Sequence, residues 1–349
     1  MTRKTEAAVL YELKKPLRIV NLTIPDIKPG QVLLDMAYAG VCHTQLLEAR
    51  GLRGQDRFLP HALGHEGSGT VLEVGAGVTK VKPGDRVVVT WIKGSGAEVP
   101  GTTYQGPDGP VNSGAIGCFM RQTVTCENRL VPIADNMPLR EASPLGCAIP
   151  TGAGMVLNTM KLKKGDTIAV FGVGGIGLSA IMAADMKKAG SIIAVDIIDS
   201  KLEYARKLGA THLINARKQE PVTAITEITG GRGVDYSVES AGTQETMQKA
   251  FQSVRNGGLC VLAGNLPYGE RISIDPYDLI RGKRIVGSWG GESQPDRDTP
   301  IYVKYYLAGK LKLDRLITHT YSLNNINQAL DDLENGKIGR ALIDMSLRQ

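Results

Sequence analysis

"TIAVFGVGGIGLSA", residues 167–180, runs from an apolar segment through a cluster of glycines into small helix-forming residues. Gly172, Gly174 and Gly177 stand in the spacing G-x-G-x-x-G, with Gly175 and Ile176 between the last two. That spacing alone is a weak signal. Its setting strengthens it: a strand precedes it, a helix follows, and Asp196 closes the next strand, "SIIAVD", 19 positions beyond Gly177. The first glycine permits a tight turn, the second lets backbone approach a pyrophosphate, and the third lets the helix pack on the strand. Free N–H groups at the helix start then face the phosphates. Asp196 is placed to accept hydrogen bonds from an adenosine ribose, and its charge repels a 2′-phosphate, so the expected cofactor is NAD rather than NADP. The bland alternative is a glycine-rich turn with no ligand; the acidic residue and the strand–helix–strand setting argue against it.

Outward from this stretch the alternation continues. "SKLEYARKLGA" reads as a helix, "THLIN" as a strand, "VDYSVESAG" as a strand, "TQETMQKAFQSVRNGG" as a helix and "LCVLAG" as a strand. Such repetition implies a doubly wound parallel sheet, a Rossmann domain over residues 149–289. Upstream, "AAVLYEL", "LRIVNLTIP", "GQVLLDMAYAGV", "GSGTVLEVG" and "GDRVVVTW" are short apolar runs between Gly and Pro turns, the pattern of a β-rich unit. Residues 94–117, dominated by Gly, Pro and small polar side chains, read as a loop. The tail "NNINQALDDLENGKIGRALIDM" reads as a helix, a Gly stop and a last strand that returns to the first unit. The expected fold class is therefore α/β, with a discontinuous β-rich domain over 1–148 and 290–349.

A chain of 349 residues suits two domains. Its 41 basic and 35 acidic residues give a net charge of +6, scattered without a basic run or aromatic-interleaved patch. This is a solvated surface that helps attract an anionic cofactor, and no nucleic-acid partner is expected. No apolar run reaches the ~18 residues of a membrane span, so no membrane partner is expected either. The N-terminal stretch lacks a signal-peptide core, which points to a cytoplasmic protein. Five cysteines, an odd number in a long chain, imply reduced thiols rather than a disulfide framework.

Three residues flanked by small side chains are candidate metal ligands: Cys42 in "AGVCHT", His65 in "LGHEGSG" and Cys147 in "LGCAIPTGAG". Two thiolates and an imidazole suit Zn²⁺ with a fourth position left for water or substrate. Glu66, next to His65, can enter or leave such a shell. Taken singly, a cysteine in apolar surroundings is more often a small core residue, and a histidine after glycine is more often a surface group. Their joint occurrence ahead of a complete dinucleotide motif shifts the balance.

With "AGVCHT", "GHEGSGTVLEVGAGVTKVKPGDRV", "GC" at 146–147, "GVGGIG", "KLEYARKLGATHLIN" and "GKIGR" in family order, the chain resembles the zinc-dependent medium-chain alcohol dehydrogenases over essentially its full length. The resemblance implies a GroES-like catalytic domain beside the Rossmann domain, and interconversion of an alcohol with its aldehyde or ketone using NAD. It assigns Cys42, His65 and Cys147 to the catalytic zinc and Glu66 to the carboxylate nearby. Thr44 matches the hydroxyl that handles the alcohol proton. Thr151 matches a nicotinamide contact and Lys201 a lysine near the adenosine ribose. His43 and Arg340 match pyrophosphate contacts, Trp91 and Phe119 match walls of the substrate pocket, and Leu47 is expected to line that pocket with them. Family members are homodimers or homotetramers, so the chain itself is an expected partner.

Three departures qualify the match. Many members carry a structural-zinc lobe with four cysteines; here Ser95 stands where the first is expected and only Cys118 and Cys126 lie near. Two thiols cannot fill a four-coordinate site, so one zinc per subunit is expected, with Cys118, Cys126 and Cys260 as buried or partly buried thiols. Leu47 occupies the place of a relay histidine and cannot carry a proton, which leaves the cofactor ribose, water or His43. Gln45 replaces a frequent Asp; its oxygen can accept the zinc histidine's N–H with less effect on ligand basicity than a carboxylate has. Competing readings are a zinc-free, NADPH-dependent quinone or enoyl reductase of the same fold, which the ligand triad and Asp196 oppose, and a non-catalytic dehydrogenase-like binding protein. A glutathione-linked formaldehyde dehydrogenase is also conceivable from "CHT" and "GSWGG", although the rewritten lobe speaks against it.

Overall fold

Alternation of inward and outward side chains builds the first part of the chain, seen in a computed structural model that describes residues 3–348. The strands are β1 (Lys4–Leu10), β2 (Arg18–Thr23), β3 (Gln31–Val41), β4 (His61–Ala62), β5 (Glu66–Val74), β6 (Arg86–Thr90), β7 (Thr103–Gly106), β8 (Gly109–Asn112), β9 (Gln122–Cys126) and β10 (Leu130–Pro132). Strands β1, β2, β7, β8 and β4 close a small barrel. Its interior holds Ala7, Val9, Leu22, Tyr104, Val111 and Met120.

The hairpin β7–β8 corrects the reading of 94–117 as loop. Gly106 pairs with Gly109 around Pro107 and Asp108. Tyr104 and Val111 both point into the barrel, and the Tyr104 hydroxyl accepts a hydrogen bond from the Val124 N–H at 2.7 Å. Two inward apolar residues in a Gly/Pro-rich stretch are too few to register as a period of two. Only the closing barrel gives them a face to bury.

The second part is a parallel sheet of β11 (Thr167–Phe171), β12 (Ser191–Asp196), β13 (His212–Asn215), β14 (Val234–Glu239), β15 (Val254–Leu262) and β16 (Arg284–Gly287), in the order β13-β12-β11-β14-β15-β16. Strand β11 is buried on both faces, hence its unbroken apolar run Ile168–Phe171. The order reverses on either side of β11, so its C-terminal end is the switch point where such sheets bind ligands.

The chain then adds β17 (Ile317–Ser322) and β18 (Arg340–Asp344). Strand β18 pairs antiparallel with β3, Ala341 opposite Val41, inside a seven-stranded sheet of the first unit. Contacts divide the chain into one unit running to Cys147, joined by Gln294–Leu307 and the stretch from Ile317 on, and another of Ala148–Ser293 with Ala308–Leu316. The short segment Ala308–Leu316 thus packs with the parallel sheet, whereas the sequence reading placed all of 290–349 with the first unit. Among the described residues no helix is long and apolar enough to cross a membrane.

Candidate metal centre and dinucleotide cradle

The first unit brings Cys42, His65 and Cys147 together: one donor atom from each lies within 4.8 Å of the others. The convergence has a local cause. Cys42 directly follows β3, keeps an extended backbone and caps the helix His43–Ala49. His65 precedes β5, and Cys147 follows the 3₁₀ turn Ser143–Gly146. A Cβ at Gly146 would strike the Val89 carbonyl, and one at Gly40 would overlap the Glu66 carboxylate. Small residues beside the ligands therefore give β3, β5 and the 3₁₀ turn room to meet.

Cys42 is only 6% exposed, yet its thiol is held well below its ordinary range. The hydrogen bond with Cys147 is the main cause; burial opposes it, and His65 and the Arg340 charge assist. A thiol poised to ionise, a second thiol and an imidazole form a donor set that fits a zinc ion. Among the described residues this is the one group of three or more Cys, His, Asp or Glu side chains arranged to hold a metal.

Gln45 links two of the ligands. Its side-chain oxygen accepts the Cys42 backbone N–H at 3.1 Å, and its amide nitrogen meets His65 Nδ1. The oxygen therefore does not serve His65, as the residue type alone suggests. The helix start overrides this, because residue 45 sits at the third helical position, from which a side-chain oxygen reaches back to the cap N–H. Thr44 Oγ1 lies 3.9 Å from the Cys42 sulfur. His43, next along, is exposed.

Glu66 is fully buried and ion-paired with Arg340, itself 4% exposed. Arg340 Nη1 also donates to the Val41 carbonyl at 3.1 Å. Arg340, the residue expected to contact a pyrophosphate, is also the counter-ion to a buried carboxylate, because β18 runs alongside β3. The pairing joins residues 274 positions apart, and no local pattern signals it.

The expected pocket residues separate. The Trp91 ring meets His65 edge-on, centroids 6.5 Å apart. Leu47 is buried at 5% exposure. Phe119 is fully buried in the main core of the first unit, among Leu10, Leu34 and Leu63, so the expectation of a pocket wall is corrected: it presents no accessible face. Cys118, Cys126 and Cys260 are buried free thiols. Burial pushes the Cys118 thiol far up and that of Cys260 to about 12.

In the second unit, Gly172 turns with φ +83°, and a Cβ there would collide with the Ala241 N–H. Around Gly174 a Cβ would meet nothing within 4 Å, an open approach to the backbone, while one at Gly177 would strike the Gly172 carbonyl. Gly174 caps the helix Gly175–Met186 without a side-chain bond, and no acidic residue sits in its first turn. Its N–H groups and the helix dipole thus suit an anion. The Asp196 carboxylate accepts the Val173 N–H at 2.9 Å, the Ile197 N–H at 2.8 Å and the Ile198 N–H at 3.1 Å, which fixes it at the rim of this turn. Lys201 is half-buried on the helix Asp199–Lys207. Thr151 is 6% exposed and its hydroxyl has no partner among the described residues. A glycine cradle, a fixed carboxylate and an unsatisfied hydroxyl fit a dinucleotide.

A Cys₂His donor set in one unit and a doubly wound sheet in the other, within one chain, define a zinc-binding dehydrogenase. The chain matches the family model for the alcohol dehydrogenase GroES-like domain over residues 28–135 and that for zinc-binding dehydrogenase over 175–303. It is 35% identical to an S-(hydroxymethyl)glutathione dehydrogenase of Synechocystis sp., across 97% of this chain and 99% of the relative. Among solved structures, an alcohol dehydrogenase zinc-binding domain protein from Burkholderia ambifaria superposes with a TM-score of 0.91 at 33% identity, covering 99% of both chains. Benzyl alcohol dehydrogenase from Acinetobacter calcoaceticus superposes with a TM-score of 0.90 at 32% identity, covering 98% of this chain and 99% of that one. The protein belongs to the zinc-type medium-chain alcohol dehydrogenases, oxidoreductases that interconvert an alcohol and its carbonyl compound.

Proposed function

We propose that this enzyme oxidises an alcohol to its aldehyde or ketone, or the reverse, with NAD as hydride carrier and one catalytic zinc per subunit. The observation that carries the reading is the convergence of the Cys42, His65 and Cys147 donor atoms within 4.8 Å. Cys42, His65 and Cys147 hold the ion, and the buried Glu66 beside them, balanced by Arg340, stands ready as a further ligand. When bound, zinc supplies Lewis acidity toward the substrate oxygen and NAD supplies the hydride acceptor. Thr44 Oγ1 would accept the substrate hydroxyl proton while passing on its own, so that it relays the proton rather than keeping it. With Leu47 apolar, the exposed His43 offers an outlet toward solvent. Trp91, edge-on to His65, gives the substrate body an aromatic wall.

Gly172, Gly174, Gly175, Ile176 and Gly177 cradle the coenzyme pyrophosphate. Asp196 and Lys201 bind the adenosine ribose, and Thr151 turns its free hydroxyl to the nicotinamide. Asp196 sets the preference for NAD. Replacing it with Gly is expected to raise NADP use relative to NAD by at least about tenfold, the worth of one charge-assisted hydrogen bond. An unchanged coenzyme ratio would remove Asp196 from this role. Metal analysis of the purified protein, with a turnover screen spanning aromatic, aliphatic and glutathione-linked alcohols, tests the reaction itself. A protein that turns over with no zinc bound defeats the proposal.

We propose a second copy of this chain as the macromolecular partner. Among the described residues strand β16 pairs only with β15, which leaves its outer edge open for hydrogen bonding. In the segments that flank it in sequence, Ile280 and Trp289 are 78% and 79% exposed. Self-complementary pairing across a two-fold axis satisfies both features. Light scattering that finds only monomer at assay concentration rules this out.

A further inference from the structure

The parallel sheet carries a second cleft, at the opposite strand ends from the Gly172 turn. It lies where β14, β15 and β16 begin and has a volume of about 500 Å³. Strand β14 spans roughly 17 Å, at ~3.3 Å per residue, between this end and the switch-point end. The volume falls within the ~300–1,000 Å³ range of small-ligand sites. Arg232, Arg255, Arg281 and Lys283 line it, with Asp278 as the one carboxylate. A smaller adjoining cavity shares Arg232 and Arg255 and adds Asp235.

The charges do not balance within the protein. Lys283 pairs with Asp278 at 3.1 Å and Arg255 with Asp235 at 2.7 Å. That uses both carboxylates. Arg281 is left resting on the Tyr277 ring, 4.7 Å from its centroid. Arg232, exposed in the glycine-rich turn "TGGRG", makes no hydrogen bond or ion pair among the described residues. Two guanidinium groups without a counter-ion thus face one concave site already flanked by two further cations. Like charges gathered in this way repel one another, and an anion bound between them reverses the sign of that interaction. Guanidinium forks are suited to oxygen pairs of phosphate or carboxylate groups.

We infer that this cleft binds a compact polyanion, a diphosphate or a polycarboxylate, through Arg232 and Arg281, at a site separate from the dinucleotide cradle. The test is calorimetric titration of the full-length protein, saturated with NAD and at low salt, with inorganic pyrophosphate and, separately, citrate. One saturable equivalent per chain is expected for at least one of them, and which one identifies the anion as phosphate or carboxylate. Arg232→Gln and Arg281→Gln should each weaken binding by about tenfold, the worth of a charge-assisted hydrogen bond, while melting temperature and turnover stay at wild-type values. Lys337→Gln, an exposed lysine of the first unit, should leave the affinity unchanged. Absence of saturable binding by both anions overturns the inference. So does affinity indifferent to both arginine substitutions, or binding that appears only when NAD is left out.

Discussion

Cys42 and Cys118 are both buried thiols of the same unit, 6% and 0% exposed, and they sit at opposite ends of thiol chemistry. Around Cys118 burial acts alone and drives the thiol up, where it behaves as a small apolar residue. Around Cys42 the same burial is outweighed by Cys147, His65 and the Arg340 charge. A buried cysteine therefore becomes a ligand through the company the fold gives it. The lobe that holds a structural zinc in many relatives makes the same point from the other side. Here Glu127, not a thiolate cluster, accepts the Thr79 N–H at 2.5 Å, the Ala97 N–H at 2.8 Å and the Lys80 N–H. Asp296 accepts the Ser95 N–H at 2.5 Å and pairs with Lys80.

The contrast can be broken most decisively at the ligands. Cys42→Ser or Cys147→Ser should abolish zinc retention and lower kcat/KM by about 10³-fold or more, on the order of 4 kcal/mol of lost transition-state stabilisation. Cys118→Ser should leave zinc content intact and alter only stability, by about 1–3 kcal/mol for an unsatisfied buried hydroxyl. Equal zinc loss in all three variants would erase the distinction between the thiols.

A smaller effect is expected at the residue that ties the ligands together. Gln45→Ala leaves the Cys42 N–H and the His65 ring without their partner. Zinc affinity should fall by roughly 10–100-fold, the usual cost of losing such a support, as measured by competition with a chromophoric chelator. An affinity equal to wild type would make Gln45 a helix cap and nothing more.

The smallest effect belongs to the lobe. Burial works to raise the Glu127 carboxyl, but the Ala97, Lys80 and Thr79 N–H groups hold it below the ordinary carboxylate range. Its contribution is present above the unfolded carboxylate pKa and is lost as the pH falls through the lower folded value. Glu127→Gln should therefore reduce the melting temperature at pH 7 by about 2–5 °C, with the gap to wild type closing in acid. Two tightly held zincs per chain in the wild-type protein would contradict this account of the lobe, which assigns its order to carboxylates.

What could be read from the chain follows from the range of the physics involved. The coenzyme cradle is local: the turn, the helix start and Asp196 occupy one strand–helix–strand segment, so spacing alone locates them. Strands such as β3 and β11 declare themselves through long apolar runs. The hairpin β7–β8 did not, because two inward side chains among glycines and prolines carry no readable period. Phe119 is a core residue rather than a pocket wall because an aromatic side chain serves a core as readily as a pocket, and its non-strand segment between β8 and β9 offers no period from which a face could be read. The Gln45 oxygen was assigned to the wrong partner because the helix cap competes for it.

The sequence by itself determined the fold class, the dinucleotide turn and the identity of the three donor residues, since each rests on residue type and short-range spacing. Tertiary structure alone decided that Cys42, His65 and Cys147 meet, that Glu66 is neutralised by Arg340 from a strand 274 positions away, and that four basic residues gather at the far edge of the parallel sheet. Those outcomes depend on which strands pair and which termini align, and the electrostatics of a site exists only once that pairing has removed water and set the distances.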